Sequence, residues 1–432
     1  MRLISAVSCG VVLLSSSVYG NADVGGELRL RFESYDNMNE KYYGSNPKLG
    51  ESKDSYLMTR LRVGAKYKID DHWSTKVSMQ DARVLGWGFE NRDWYNKEFG
   101  QEHNTQVDEF ELYQTYLQYK NEGTTVTVGR QNITYGDKRV YGPGEWKNSG
   151  KWVWDAVKVS YKDDQDFLDV FYGGTMLHDA NKFSLNHRHG YWGGGLYGHH
   201  VFKKTGAIEP IFAYKENKHA NEKYDALKSY YIGARVYDTD FNNFFYDLLY
   251  VKSFGDYTNV DLSQSDIDGV GYHIETGYSI KPIKTKVGMG YTYASGDNPN
   301  TKANETFDSV FGASDLYYGR LNLMQWNNLK DQEVFAVYKP NADTKIKAEY
   351  HKFYADEQSN KWLSYKIASM QNDHYGDEFD IMGTYNYNKD IIYLLGAGYF
   401  MSGDYIKEAS IKNANITDNN AIGIFAQINY KF

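Results

Sequence analysis

Most of the chain consists of runs in which apolar and polar residues alternate, and this period of two constrains the fold more than any other feature. In the first run, Leu28 and Leu30 alternate with Arg29 and Arg31. Such alternation predicts β-strands that are apolar on one face only. After residue 22, no apolar stretch reaches the roughly 20 residues that a membrane-spanning helix needs. If this chain crosses a membrane, it therefore does so as a closed β-barrel, since only helices and closed barrels satisfy every backbone group in lipid.

The connections between these runs are alternately short and long. Eight tight turns and nine longer, polar segments predict eighteen strands, although the runs at 107–120 and 191–215 alternate poorly and leave the count open by two. An even strand number with short periplasmic turns and long extracellular loops is typical of outer-membrane barrels. We therefore predict an all-β fold, a transmembrane antiparallel β-barrel of about 18 strands. The tight turns are predicted at 70–72, 121–124, 163–166, 204–206, 238–241, 281–283, 341–344 and 388–390. The long loops are predicted at 34–54, 84–107, 132–151, 176–191, 216–228, 253–268, 295–331, 355–376 and 401–420.

The start of the chain has the pattern of a secretory signal peptide. Arg2 precedes an apolar run, and the small residues Gly20 and Ala22 end it. We predict a signal peptide over residues 1–22 and a single barrel domain over residues 23–432, because no linker or change of composition divides the rest. Cys9 is the only cysteine. Its removal with the signal peptide leaves a mature chain without disulfides or thiolate chemistry.

The composition supports a membrane barrel and argues against nucleic-acid binding. Forty-one tyrosines and nine tryptophans accompany only six prolines. Aromatic residues in this number suit a barrel wall with aromatic girdles at its two interfaces. The formal net charge is −8, and no basic stripe is interleaved with aromatic residues. We therefore predict no nucleic-acid partner.

The most distinctive segment runs from Thr125 to Tyr161 and reads TVTVGRQNITYGDKRVYGPGEWKNSGKWVWDAVKVSY. Its ordered series GRQ, YGDKR, GPGEW and DAVKVSY resembles a segment that recurs in the alginate export family of bacterial outer-membrane porins. Further segments at 293–297, 306–307, 317–319 and 376–380 resemble the same family. The resemblance implies an outer-membrane channel for passive diffusion of small or polymeric hydrophilic solutes, without a chemical step. It further implies that inward-facing arginines pass anions.

Two features differ from the pattern of the alginate exporters. The turn before the penultimate strand comprises only residues 388–390, where those exporters carry a long periplasmic loop. The predicted inner face also mixes charges of both signs. The resemblance therefore predicts a channel but does not specify alginate as the solute.

Charged residues on the polar faces of the strands are the candidate solute pathway. Rings of charge at a constriction set the selectivity of pores, and guanidinium groups bind carboxylate and phosphate bidentately. We expect a preference for anions, with a structural ladder of ion pairs along the wall as the alternative role for any one pair. The predicted lumen residues are Arg31, Arg60, Arg62, Arg130, Asp137, Arg139, Arg235, Glu378 and Asp380.

The chain ends in an amphipathic run in which Ile424 and Ile428 are predicted to face lipid. A final strand ending in phenylalanine resembles the insertion signal of outer-membrane barrels. Tyr430 and Phe432 are therefore the predicted insertion signal. The partners that follow are outer-membrane lipids, lipopolysaccharide and the barrel assembly machinery.

No catalytic or metal-binding motif is recognisable. Histidines occur close together in the sequence at 178, 187, 189, 199 and 200, but their spacing matches no zinc site and no nucleophilic site. We interpret them as solvated histidines and predict no catalytic residues, no metal and no cofactor. The alternative function is a barrel enzyme, or a surface adhesion or structural protein that acts through loops such as 295–331.

Overall fold

The computed structural model shows a closed antiparallel β-barrel. The structure describes residues 21–38, 53–85, 108–142, 145–146, 148, 153–176, 189–217, 225–259, 261–312, 316–360, 362, 369–413 and 416–432. Within these residues, none of the helices has the length and apolar character needed to cross a bilayer. Nearly all of the regular structure is strand.

The strands follow the alternating runs of the sequence. In the first half they are β1 (Ala22–Asp36), β2 (Lys53–Lys68), β3 (Trp73–Leu85), β4 (Asp108–Asn121), β5 (Thr124–Gln131), β6 (Trp154–Asp163), β7 (Asp166–Met176), β8 (His189–Val201) and β9 (Gly206–Asn217). In the second half they are β10 (Ala226–Phe241), β11 (Phe244–Thr258), β12 (Gln264–Ile267), β13 (Val270–Ile280), β14 (Thr285–Ala294), β15 (Leu329–Tyr338), β16 (Thr344–Tyr354), β17 (His374–Asn386), β18 (Ile391–Ser402) and β19 (Ala421–Lys431). A short helix, α1 (Asp404–Lys412), lies in the loop before β19.

Eighteen of these strands form the wall. Each pairs antiparallel with its neighbours, and β1 closes the ring by pairing with both β2 and β19. The four-residue β12 extends one end of β11, which pairs directly with β13, so β12 adds no strand to the ring. The prediction of eighteen strands, eight tight turns and nine long loops is confirmed. One turn is displaced: β10 continues to Phe241, and the chain reverses at Asn242 and Asn243, which have positive φ values of 54° and 72°.

The alternation of the sequence separates an outer from an inner face. Val128 and Val157 are 49% and 50% exposed, as expected for side chains that face lipid, whereas Arg31 is 1% exposed on the inner face. On β19, Ile424 and Ile428 lie on the exposed face and Phe425 is buried inside. The predicted register of the last strand is therefore confirmed.

Two of the long loops fold into the barrel. We name the described residues between 132 and 148 the first inward loop and the described residues between 295 and 328 the second inward loop. The first loop follows β5 and the second follows β14. The glycine-rich bend predicted to fold toward the lumen lies in the first loop, and that expectation is met.

Candidate functional site

One end of the first inward loop is held by arginines of β1 and β2. Glu145 accepts hydrogen bonds from Arg60 at 3.1 Å and from Arg62 at 3.2 Å. Arg60 also binds Glu27 at 2.8 Å. These arginines therefore have carboxylate partners and hold the loop against the wall. Glu145 was absent from the sequence prediction because it lies in a loop, where alternation gives no side-chain direction.

Two further arginines bind the backbone of the same loop. Arg29 donates to the carbonyl oxygen of Glu145 at 2.8 Å and to the side chain of Asn148 at 3.0 Å. Arg31 donates to the carbonyl oxygen of Trp146, lies over its indole ring at 4.4 Å and pairs with Glu33 at 3.0 Å. We name Arg29, Arg31, Arg60 and Arg62 the basic wall.

The basic wall keeps Glu145 charged. Burial favours the neutral carboxylic acid, but Arg62, Arg60 and Arg29 outweigh this effect and lower the pKa of Glu145 from 4.5 to about 2. Arg62 in turn lies over the ring of Tyr113 at 3.9 Å. The loop end is thus fixed by charge-assisted hydrogen bonds, which are stronger than neutral ones.

The middle of the first loop crosses to another part of the ring. Asp137 binds Arg139 at 2.9 Å, and Arg139 lies 3.3 Å from Nδ1 of His273 on β13. Burial opposes ionisation of Asp137, but Arg139 and Arg235 lower the pKa of its carboxyl group. Gly136 has a φ of 53°, and a Cβ there would lie 2.3 Å from the hydroxyl oxygen of Tyr197. Glycine at this position therefore permits the close approach of the loop to the wall.

Arg235 belongs to a separate ion-pair group on the wall beneath this bend. Its guanidinium binds Asp247 at 2.8 Å and Glu209 at 2.9 Å. Arg235 thus lies on the inner side of the wall, as do Asp137 and Arg139. All three are engaged in ion pairs.

The two inward loops contact each other inside the barrel. Arg139 lies over the ring of Tyr317 at 3.7 Å, and the hydroxyl of Tyr317 donates to the carbonyl oxygen of Asp137. The backbone amide of Phe311 binds the carbonyl of Val140 at 3.1 Å. Tyr141 and Phe311 stack with their ring centroids 6.0 Å apart. The two loops therefore lie against each other inside the lumen.

The second inward loop is held by carboxylates. The amide of Leu321 donates to Glu378 at 2.8 Å, and the amide of Arg320 donates to Asp380 at 3.0 Å. Gly319 has a φ of 82°, and a Cβ there would lie 2.5 Å from the carboxylate of Glu378. We name the inward-facing carboxylates of β15–β17 the acidic wall; they are Asp331, Glu333, Glu349, Glu378 and Asp380.

The prediction that Arg130 lines the lumen is wrong. Arg130 binds Asp155 with both Nε and Nη2, at 2.8 and 3.0 Å. Asp155 lies on the same face of β6 as the exposed Val157, so this ion pair is on the outer side of the wall, next to the long loops. Strict alternation from Val128 places Arg130 on the outer face, although the charged loop that follows makes it look like part of an inward charge cluster.

Some inward-facing charges lack a partner, and they lie toward the short turns. Lys66 and Lys76 face each other across β2 and β3, and no described carboxylate lies within salt-bridge distance of either. They line a cavity of about 610 Å³ together with Asp23, which lies directly opposite Lys66 on β1 but beyond salt-bridge distance. Lys286 and Lys345 occupy inner positions near the turns on other parts of the ring. A second cavity of about 1180 Å³ lies on the loop side and is lined by polar residues such as Asn327 and Asn360.

The histidines that are close in sequence do not form one site. His178 and His187 lie outside the described residues. His189 binds Asp155 at 3.1 Å near the long loops, whereas His199 binds Glu209 at 3.1 Å at the other end of β8. Ten residues of strand separate the two by roughly 33 Å. His200 pairs with Asp166 and is exposed.

Comparison with known proteins gives the family. The model of the alginate export family matches residues 21–418. The chain belongs to the alginate export family. The solved structure of OccAB1 from Acinetobacter baumannii is similar, with a TM-score of 0.65 and 12% identity over 95% of this chain and 97% of that chain. OccK8 (OprE) from Pseudomonas aeruginosa has a TM-score of 0.61 and 11% identity over 95% and 98% of the two chains. No curated protein sequence matches this chain.

Membership of the alginate export family assigns this protein to the bacterial outer membrane as a channel for solutes. The closed barrel of eighteen strands is the fold that such a channel requires, since closure leaves no unpaired strand edge in lipid. The outer face of the barrel meets membrane lipid. The lumen, with its two inward loops, is the solute pathway.

Proposed function

We propose that this channel passes small hydrophilic anions by passive diffusion, without a chemical step. The observation that carries the proposal is the pair Lys66 and Lys76, which face the lumen without a described carboxylate partner. Unpaired charge on a pore wall attracts ions of the opposite sign and sets selectivity.

The arginines of the basic wall support the proposal indirectly. Arg60 and Arg62 are neutralised by Glu145 and Glu27, so their main role is to hold the first inward loop. Glu145 of that loop lines the same cavity as the two lysines. The contact between the inward loops also narrows the lumen, which favours small carboxylates and phosphates over an extended polymer such as alginate.

Reversal potentials in planar bilayers under a salt gradient test this function. We expect wild-type protein to prefer anions and the double variant Lys66→Gln with Lys76→Gln to shift the potential toward cation preference. Lys68→Gln is the matched control, because Lys68 lies on the same strand but already pairs with Asp71 at 2.8 Å. A wild-type channel that prefers cations, or a double variant with an unchanged potential, contradicts the proposal.

The remaining parts of the proposal concern export and assembly. We propose that residues 1–22 are removed as a signal peptide, that Tyr430 and Phe432 are recognised by the barrel assembly machinery, and that the rim meets lipopolysaccharide. The mass of the mature protein from outer membranes tests the cleavage before Asp23. A mass that includes residues 1–22 contradicts it.

The alternative of a loop-based enzyme or adhesion protein is separated from a channel by conductance. Purified protein that forms no ion-conducting pores in bilayers, but remains a heat-modifiable closed barrel, favours the alternative. Steady ohmic conductance supports the channel.

A further inference from the structure

Two adjacent strands of the acidic wall bring together the donor types of a transition-metal site. Glu333 on β15 lies directly opposite His351 on β16, and Glu349 is two residues before His351 on the same inner face. A ring nitrogen of His351 and one carboxylate oxygen from each glutamate lie within 4.8 Å of one another. The side chains of Glu349 and His351 are buried, and that of Glu333 is 10% exposed. Among the described residues this is the one group of metal-ligand types that lies close enough together to hold an ion.

The histidine is oriented as metal-binding histidines usually are. Nδ1 of His351 lies 3.0 and 3.2 Å from the two carboxylate oxygens of Asp331. The ring also stacks on Phe353, with centroids 5.3 Å apart and an angle of 12° between the planes. A carboxylate on one ring nitrogen fixes the tautomer and leaves the other nitrogen, Nε2, available to a metal. Asp331 is therefore a positioning residue.

An unsatisfied oxygen provides a second, independent sign of a missing cation. Glu349 has a side chain that is only 7% exposed, and its Oε2 receives no hydrogen bond from the described residues. Nε of Arg320 lies 3.9 Å from this oxygen, and Lys347 contacts the other oxygen of the same carboxylate. A buried carboxylate oxygen without a partner is costly, and a bound cation removes that cost.

Lys347 occupies the position of a competing cation. Its ammonium group lies 3.5 Å from Glu333 and contacts Glu349 directly. A lysine side chain is long and flexible, so it is able to leave these carboxylates when another cation binds them. The ammonium therefore lowers the affinity of the carboxylates for a metal without altering the donor set.

We propose that Glu333, Glu349 and His351 bind a divalent first-row transition-metal ion, such as Zn²⁺, on the inner face of the barrel. One imidazole nitrogen with two carboxylates suits zinc and its neighbours better than calcium or magnesium, which prefer oxygen ligands alone. Three protein ligands leave coordination positions open to water. The site is independent of the anion pathway proposed above, since it lies on β15 and β16 rather than on β2 and β3, and it goes beyond the sequence analysis, which predicted no metal.

Zinc titration of the full-length protein, purified in detergent without an affinity tag, tests the proposal. Isothermal calorimetry with Zn²⁺ is expected to show one site in the wild type. His351→Gln and Glu333→Gln are expected to remove it. Asp331→Asn is expected to weaken the affinity by about 10- to 100-fold, as is typical when the partner of a metal-binding histidine is lost.

Two further variants separate a metal site from a general effect of mutation. Lys347→Gln is expected to increase the affinity for Zn²⁺, a gain that misfolding does not produce. His374→Gln is the matched control, because His374 also pairs with an aspartate, Asp377 at 3.2 Å, outside the cluster. It is expected to leave the affinity unchanged. Heat-modifiable mobility confirms that each variant is a closed barrel.

Three results contradict the proposal. They are a wild-type protein without a zinc site, an unchanged affinity in both His351→Gln and Glu333→Gln, or a Lys347→Gln variant that binds no more tightly than wild type. Visible absorption of the Co²⁺ form gives a spectroscopic check, since it is expected to change on Glu333→Gln and not on His374→Gln.

Discussion

The basic wall and the acidic wall each hold an inward loop in the lumen, and they do so with opposite charges. On the basic wall, arginines donate to a carboxylate and to carbonyl oxygens of the first inward loop, as in the contacts of Arg29 and Arg60 with Glu145. On the acidic wall, Glu378 and Asp380 accept from backbone amides of the second inward loop. The walls carry opposite charges because the first loop presents a carboxylate and carbonyl oxygens to its wall, whereas the second loop presents backbone amides. Charge on the inner face therefore anchors loops first, and only the charge that remains is available to solutes.

This comparison explains why counting charged residues did not decide selectivity. The predicted residues Arg60, Arg139 and Arg235 all have anionic partners. The unpaired Lys66 and Lys76 cannot be told apart from the arginines in the sequence, because they occupy the same kind of strand position. Pairing depends on where loops fold, which alternation does not reveal.

The largest effect is expected from a charge placed on the lipid-facing side of the barrel, because it tests which residues face outward and which face the lumen. Ile428 is 40% exposed on the lipid face of β19, and a charge at the membrane midplane costs about 2–4 kcal/mol. Ile428→Arg is therefore expected to lower the yield of folded protein in outer membranes. Gln427→Arg, on the inner face, is expected to be tolerated. Equal yields of the two variants contradict the assignment of inner and outer faces.

The next effect concerns the acidic wall. Each hydrogen bond contributes about 0.5–1.5 kcal/mol, so replacing both Glu378 and Asp380 by alanine releases the amides of Leu321 and Arg320. We expect single-channel conductance to rise and the second inward loop to become sensitive to protease. Unchanged conductance and protection indicate that contacts with the first loop alone hold it in place.

A smaller effect is expected at the basic wall, where the anchor depends on pH. The pKa of Glu145 is lowered from 4.5 to about 2, so its contribution is present in full above pH 4.5 and is lost as the pH falls through about 2. Wild-type conductance is expected to be constant between pH 7 and pH 5. Glu145→Gln is expected to show at neutral pH the conductance that the wild type reaches only near pH 2. A wild-type transition near pH 4.5 indicates that Glu145 is not held by the arginines.

The smallest effect is expected outside both walls. Arg130→Ala removes a charge from the outer face and is expected to leave conductance and reversal potential unchanged. Arg139→Ala removes a charge that lies between the two inward loops and is expected to alter conductance. Bilayer recordings of both variants test the correction made for Arg130. A shift of reversal potential in Arg130→Ala contradicts its outward placement.

The sequence predicted the wall well and the lumen only in part. Alternation gave the strands, the strand number and the direction of Arg31, Arg60 and Glu378, because lipid outside the barrel enforces a strict period of two. It gave no information on Glu145 or Tyr317, which lie in loops whose partners are far away in the sequence. Glycines within the 125–161 segment indicated that a loop turns inward, but the partner loop emerged only from the three-dimensional contacts.

The seam between the first and last strands has a consequence for biogenesis. Gly26 and Phe432 exchange two backbone hydrogen bonds, of 2.8 and 3.1 Å, and Leu28 pairs with Tyr430. The ring therefore closes through the pairing of β1 with β19, which includes Phe432. Until Phe432 is in place, β1 and β19 are open edges that invite pairing with other chains. The pairing of β1 with β19 joins strands at opposite ends of the barrel sequence, so it carries the largest entropic cost of loop closure among the strand pairs.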